Sequence, residues 1–114
     1  MGRMLAVVRF TREGWHSWPD APESRAYLAS LHRHLFHVEV QLEVFHAERE
    51  VEYHDLLDFC KEHFHGGDRG GVSCETMAKG LAQRITARFP ERWGQVSVFE
   101  DNEVGAVYSW EVQR

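Results

Sequence analysis

Residues 34–45 alternate in polarity, without a break from Phe36 to Val44. His34, Phe36, Val38, Val40, Leu42 and Val44 would lie on one side of an extended chain, and His37, Glu39, Gln41 and Glu43 on the other. Successive side chains of a strand point to opposite faces, so this run predicts a strand with one buried and one polar face. A strand of that kind needs apolar cover on one face and neighbours on its edges. With 114 residues, 43% of them hydrophobic and 12% aromatic, the chain predicts a single domain over residues 1–114 with one core.

The remaining elements follow from local signals. Residues 4–10 are apolar and β-compatible, predicting a first strand. Pro19, Asp20, Pro22 and Ser24 predict a loop over 17–30, with a short helical turn at 26–30. Tyr53, Leu56, Leu57, Cys60 and Phe64 recur at helical spacing and predict a helix that ends at Gly66-Gly67. Ser73 is a favourable N-cap for a second helix, which buries Met77, Ala78, Leu81, Ile85 and Phe89 and stops at Pro90. Strands over 95–100 and 106–112, joined through Asp101-Asn102-Glu103 and Gly105, complete the chain. The order β-β-α-α-β-β predicts an α+β fold: a four-stranded antiparallel sheet with two helices on one face. Its open edge strands predict a homo-oligomer.

Charge and composition narrow the function classes. A formal net charge of −5 argues against a general nucleic-acid binder, which would carry a basic face. No apolar run reaches the ~20 residues of a membrane-spanning helix, so no membrane partner is expected. The apolar stretch at the start of the chain is too short for a signal peptide. Two cysteines are too few for a disulfide framework, and a cytoplasmic protein is expected.

The chemistry-bearing residues are histidines. His32 and His34 share a strand face, and His16 lies upstream among Trp15 and Trp18. Three neutral imidazoles that leave one tetrahedral position open are the ligand set of a catalytic zinc. His63 and His65 follow the first helix and offer a general base, with Asp68 to orient it; a solvated helix end reads equally well. Cys74 stands at a helix start, where a thiolate is favoured. Ser73 and Glu75 read as an N-cap and a first-turn acid, or as substrate contacts.

In element order and motifs the chain resembles the 6-pyruvoyl-tetrahydropterin synthase family, including its 6-carboxy-tetrahydropterin synthase branch. That family has one histidine after its first strand and a His-Gly-His pair opening its second, which are similar to His16 and to His32-Arg33-His34. Its Asp-Phe-x-x-Leu motif is similar to Glu52-Tyr53-His54-Asp55-Leu56, and its Pro-Thr-x-Glu motif to Val72-Ser73-Cys74-Glu75 followed by Ala78. Glu100 stands where the family anchors the pterin ring, and Tyr108 echoes a tyrosine of its fourth strand.

The resemblance implies a tunnelling-fold (T-fold) subunit that assembles into a trimer or hexamer. It implies Zn2+ on His16, His32 and His34, and a pterin or purine-like substrate whose ring N–H and amine donate to Glu100. It further implies a carbon–oxygen lyase of tetrahydropterin or queuosine biosynthesis, acting on dihydroneopterin triphosphate or a related compound. Arg25, Arg33, Arg49 and Arg69 are the candidates to meet a triphosphate. The chain departs from the family at Leu28, where a cysteine is usual, and in its shortened segment between the helices. His63, His65, Asp68 and Cys74 are therefore the candidates for proton transfer. The alternatives are a divergent member acting on or binding another purine- or pterin-like ligand, and a non-catalytic oligomeric binding protein.

Overall fold

The alternating segment forms strand β2 (His32–Val44) at the centre of the sheet in a computed structural model that describes residues 2–112. Strand β1 (Met4–His16) pairs antiparallel with it along its full length, from Met4 opposite Val44 to His16 opposite His32. On the other edge β2 pairs antiparallel with β4 (Gly94–Glu100), which pairs in turn with β5 (Val104–Trp110). A two-residue strand, β3 (Gly67–Asp68), runs parallel to β1 beside Gly14 and Trp15. The helices are α1 (Tyr53–His63) and α2 (Cys74–Arg88), and a 3-10 turn (Glu23–Leu28) interrupts the loop between β1 and β2.

The protein is α+β, but its sheet has five strands and is mixed, in the order β3-β1-β2-β4-β5, instead of four-stranded and antiparallel. The extra strand sits between the helices, so the order of elements is β-β-α-β-α-β-β. Gly66-Gly67 is the cause. Helix α1 stops at His63, before the glycines. Gly67 takes a positive φ of 80°, open to glycine at little cost, and a Cβ on Gly66 would collide with the Glu13 backbone. The glycines thus let the chain come alongside β1 where any other residue would hold it off.

β1 also runs past the expected residue 10. Arg12 interrupts the apolar pattern, yet its guanidinium donates to the carbonyls of Lys61 and Phe64 (both 3.3 Å) at the C-terminal end of α1. Those carbonyls have no partner within the helix, so Arg12 satisfies them and favours the helix dipole. At the other ends, the Ser73 hydroxyl accepts the Thr76 N–H (3.2 Å), and the Glu52 carboxylate accepts the Asp55 N–H (2.9 Å).

Ala6, Val8 and Phe10 of β1, Phe36 to Leu42 at alternate positions of β2, and Val96 and Val98 of β4 form one buried cluster with both helices. Leu56 and Cys60 enter it from α1, and Met77, Ala78, Leu81, Ala82 and Ile85 from α2. Both helices therefore cover one face of the sheet. The opposite face carries charge pairs, Arg9 with Glu39 (2.6 Å) and Arg33 with Glu13 (3.0 Å).

Candidate metal centre

Strand register brings the three histidines together. His16 and His32 are direct cross-strand partners, and Gly14 stands opposite His34. By the period of two, all three imidazoles share the core face with Phe36, at the end of the sheet where β1 and β2 run out. The ring centroids form a nearly equilateral triangle with sides of 4.6, 4.8 and 5.1 Å. One ligand atom from each residue lies within 4.8 Å of the others.

An apolar floor supports the triangle. The Phe36 ring is fully buried and lies edge-on to His16 (5.3 Å) and His34 (5.8 Å). It fits because Gly14 has no side chain: a Cβ there would come within 2.9 Å of the Phe36 ring and 3.1 Å of the Gly67 carbonyl.

Each imidazole is oriented through Nδ1. His16 donates to the Val72 carbonyl (2.9 Å), His32 to the Ser30 carbonyl (2.9 Å) and His34 to the Asp101 carboxylate (2.7 Å). Carbonyls and carboxylates only accept, so the proton of each neutral ring sits on Nδ1 and the Nε2 lone pair is left to point inward. The buried Nε2 atoms of His16 and His34 have no hydrogen-bond partner of good geometry. This pairing of one ring nitrogen with an oxygen acceptor is how metal-ligating histidines are held.

Asp101 reaches His34 through the β4–β5 turn. Asp101 and Asn102 have φ of 52° and 59°, and the Glu103 N–H donates to the Glu100 carbonyl (2.9 Å), a tight hairpin turn that Asp and Asn tolerate. The second Asp101 oxygen accepts the Leu35 N–H (2.9 Å). That bond, and then His34, hold the Asp101 carboxyl below its ordinary range.

Glu100 lies against the triangle itself. Its Oε1 is 2.9 Å from His16 Nε2, and its Oε2 is 3.6 Å from His34 Nε2. A carboxylate oxygen facing an imidazole lone pair at that distance is repulsive until positive charge, a ring proton or a metal ion bonded to both, offsets it. The residues thus fit a metal ion: convergent lone pairs, anchored rings and a carboxylate that asks for positive charge.

A cleft of about 460 Å3 opens beside the cluster, lined by His16, His32 and Glu100, by Ser73, Cys74 and Glu75 at the start of α2, and by Trp18 and Leu28 from the β1–β2 loop. The three expected substrate contacts, Ser73, Glu75 and Glu100, therefore share one cavity with the histidines. Cys74 faces Glu100, its thiol donating to Oε1 (3.7 Å). Burial, and then the Glu100 charge, push that thiol up to about 12, so the helix start does not produce a thiolate there.

The other candidates lie elsewhere. His63 packs on the Phe59 ring (4.5 Å), His65 is exposed, and Asp68 accepts the Gly70 N–H (2.8 Å) within its own turn. None of the three lines the cleft. Arg33 pairs with Glu13 on the opposite face, and Arg69 lies over the Phe64 ring (5.1 Å) while donating to the His65 carbonyl. The cleft lining holds two carboxylates and none of Arg25, Arg33, Arg49 or Arg69. Reading the sequence left out Asp101, Gly14 and Phe36. Asp101 had a local signal, an Asp-Asn pair directly after Glu100; Phe36 looked like ordinary core, and Gly14 gave none.

The fold and the cluster define a class, an α+β protein with a three-histidine cluster able to hold a metal ion. No protein-family model matches the chain, and no curated protein matches it. Among the described residues no helix is long and apolar enough to cross a membrane.

Proposed function

We propose that the protein is a zinc-dependent protein of pterin or purine-like small-molecule metabolism, with His16, His32 and His34 as metal ligands. The observation that carries this reading is the set of three Nδ1 anchors, Val72, Ser30 and Asp101, which leave three Nε2 lone pairs converging beside a cleft. A divalent metal held there supplies Lewis acidity to a substrate oxygen. The chain's own residues do the rest. Phe36 keeps water from beneath the cluster, and Ser73 and Glu75 present a hydroxyl and a carboxylate to a ligand in the cleft. Glu100 is placed to meet both ligand and histidines. The resemblance to the tetrahydropterin synthases adds the reaction class, a carbon–oxygen lyase, and the substrate, dihydroneopterin triphosphate or a relative. It also adds the trimer or hexamer, for which β5 offers a free edge with Val104 and Val107 exposed.

A second reading has its own support. The cleft carries Glu75 and Glu100 but none of the four candidate arginines, Leu28 lines it where the family has its cysteine, and the Cys74 thiol stays protonated. These features favour a neutral or cationic heterocycle without a triphosphate, bound or turned over by a different route.

Elemental analysis of the purified protein tests the common part. About one zinc per chain is expected, with loss on His32→Ala or His34→Ala; absence of stoichiometric metal sinks both readings. Incubation with dihydroneopterin triphosphate then separates them. Release of triphosphate supports the lyase, whereas tight pterin binding without turnover supports the second reading.

A further inference from the structure

We infer that Glu100 is the fourth protein ligand of the metal centre, closing it as a three-histidine–glutamate site in the ligand-free protein, so that a substrate reaches the metal only by displacing this carboxylate. The inference rests on the metal reading above and goes beyond it, because a three-histidine set alone would leave the fourth position to water.

Geometry supports closure. With nitrogen and oxygen ligands ~2.0–2.2 Å from zinc, neighbouring corners of a tetrahedron lie about 3.4 Å apart. Glu100 Oε1 lies 2.9 Å from His16 Nε2 and its Oε2 lies 3.6 Å from His34 Nε2, so each oxygen is near that edge from one histidine.

The surroundings hold the carboxylate in place. Glu100 is the last residue of β4, paired with Phe36 in the middle of the sheet, and its carbonyl is fixed by the turn that sends Asp101 to His34. One short segment thus provides a ligand, Glu100, and the orienting partner of another ligand, Asp101. The Cys74 thiol donates to Glu100 Oε1, an outer hydrogen bond of the kind that tunes ligating carboxylates. Glu100 also lines the cleft, so a displaced carboxylate swings towards the incoming ligand and remains available to accept its N–H groups.

The test uses the cobalt(II)-loaded protein, whose visible absorption reports coordination, titrated with azide as a small anionic ligand. Wild type is expected to take up one cobalt per chain and to show no azide-induced spectral change. Glu100→Ala is expected to open the fourth position, giving a saturable change, and Glu100→Gln, which keeps the side-chain volume, is expected to do the same. Zinc affinity should fall by more than the 10–100-fold that loss of an outer partner costs, thus by at least about 100-fold. Equal azide binding by wild type and both variants, or unchanged zinc affinity in the variants, overturns the inference while leaving the metal site intact. Failure of wild type to bind cobalt, or retention of cobalt by His32→Ala, overturns the metal reading and this inference together.

Discussion

From Val38 to Leu42 the core face of β2 carries aliphatic side chains sealed beneath α2 and α1, while from Phe36 back to His32 the same face carries two imidazoles. β1 shows the same change, from Ala6, Val8 and Phe10 to Arg12, Gly14 and His16. The two ends are continuous in backbone and register but are held by different physics. The apolar end depends on removing side-chain area from water, which is non-directional and worth about 1.5–3 kcal/mol for each fully buried large side chain. The histidine end depends on directional pairs: three Nδ1 donors on three fixed acceptors, above one aromatic floor. A residue can therefore matter greatly for stability at one end and for ligand affinity at the other.

The largest effect is expected from Leu42→Ala at the apolar end. Leu42 is fully buried, so truncation should cost about 2–5 kcal/mol in urea unfolding. Metal stoichiometry should be unchanged; loss of metal would show that the two ends are not separable. The complementary experiment adds zinc to metal-free protein. At free zinc 100 times the dissociation constant, stability should rise by about 2.7 kcal/mol in wild type and by nothing in His32→Ala. Without metal, the two proteins should differ by less than about 1 kcal/mol, since His32 is only part-buried.

Gly14→Ala probes the junction between the ends. The added Cβ presses on the Phe36 ring and the Gly67 carbonyl, so a loss of about 1–3 kcal/mol is expected together with weaker zinc binding. Thermal unfolding with and without zinc reads both effects, and loss of stability with full zinc affinity would mean that the floor does not position the rings. Asp101→Asn isolates orientation at the histidine end. Zinc affinity should fall about 10–100-fold, measured by competition with a chelator, with little change in unfolding of the metal-free protein.

The smallest expected effect lies at the far edge of the apolar end. There Arg92 grips Glu50 with two hydrogen bonds (2.8 and 2.6 Å) and stacks over Phe45 (4.2 Å). That contact, with the Phe45 N–H, lowers the Glu50 carboxyl from 4.5 to about 2. A carboxyl depressed by folding stabilises the protein above its unfolded value and loses that contribution as pH falls through its folded value. Glu50→Gln should thus cost about 1–2 kcal/mol at neutral pH, the pair being partly screened. The difference from wild type should shrink between pH 4.5 and about 2. A difference independent of pH would place the effect in packing of Phe45 and not in charge.

Reading the sequence succeeded where one face of an element decides its structure. The β2 pattern, the Ser73 cap and the helical spacing of Met77, Ala78, Leu81 and Ile85 are local, and each reappears in the fold. It failed where a polar residue satisfies a distant partner. The first strand was expected to end at residue 10, before Arg12, because the carbonyls that Arg12 caps belong to α1, about fifty residues later in the chain. Gly66-Gly67 looked like a helix stop, yet the glycines form a close backbone approach to β1 that no local pattern encodes. The alternation fixed which face His32 and His34 would share, because a two-residue period admits no other outcome.

Which nitrogen of each ring is free, that Gly14 makes room for Phe36, and that Glu100 and Asp101 close on His16 and His34 were settled only by strand register and turn geometry. Hydrophobic periodicity is written along the chain, whereas a metal-binding geometry is a set of distances between segments, and those exist only once the sheet has formed.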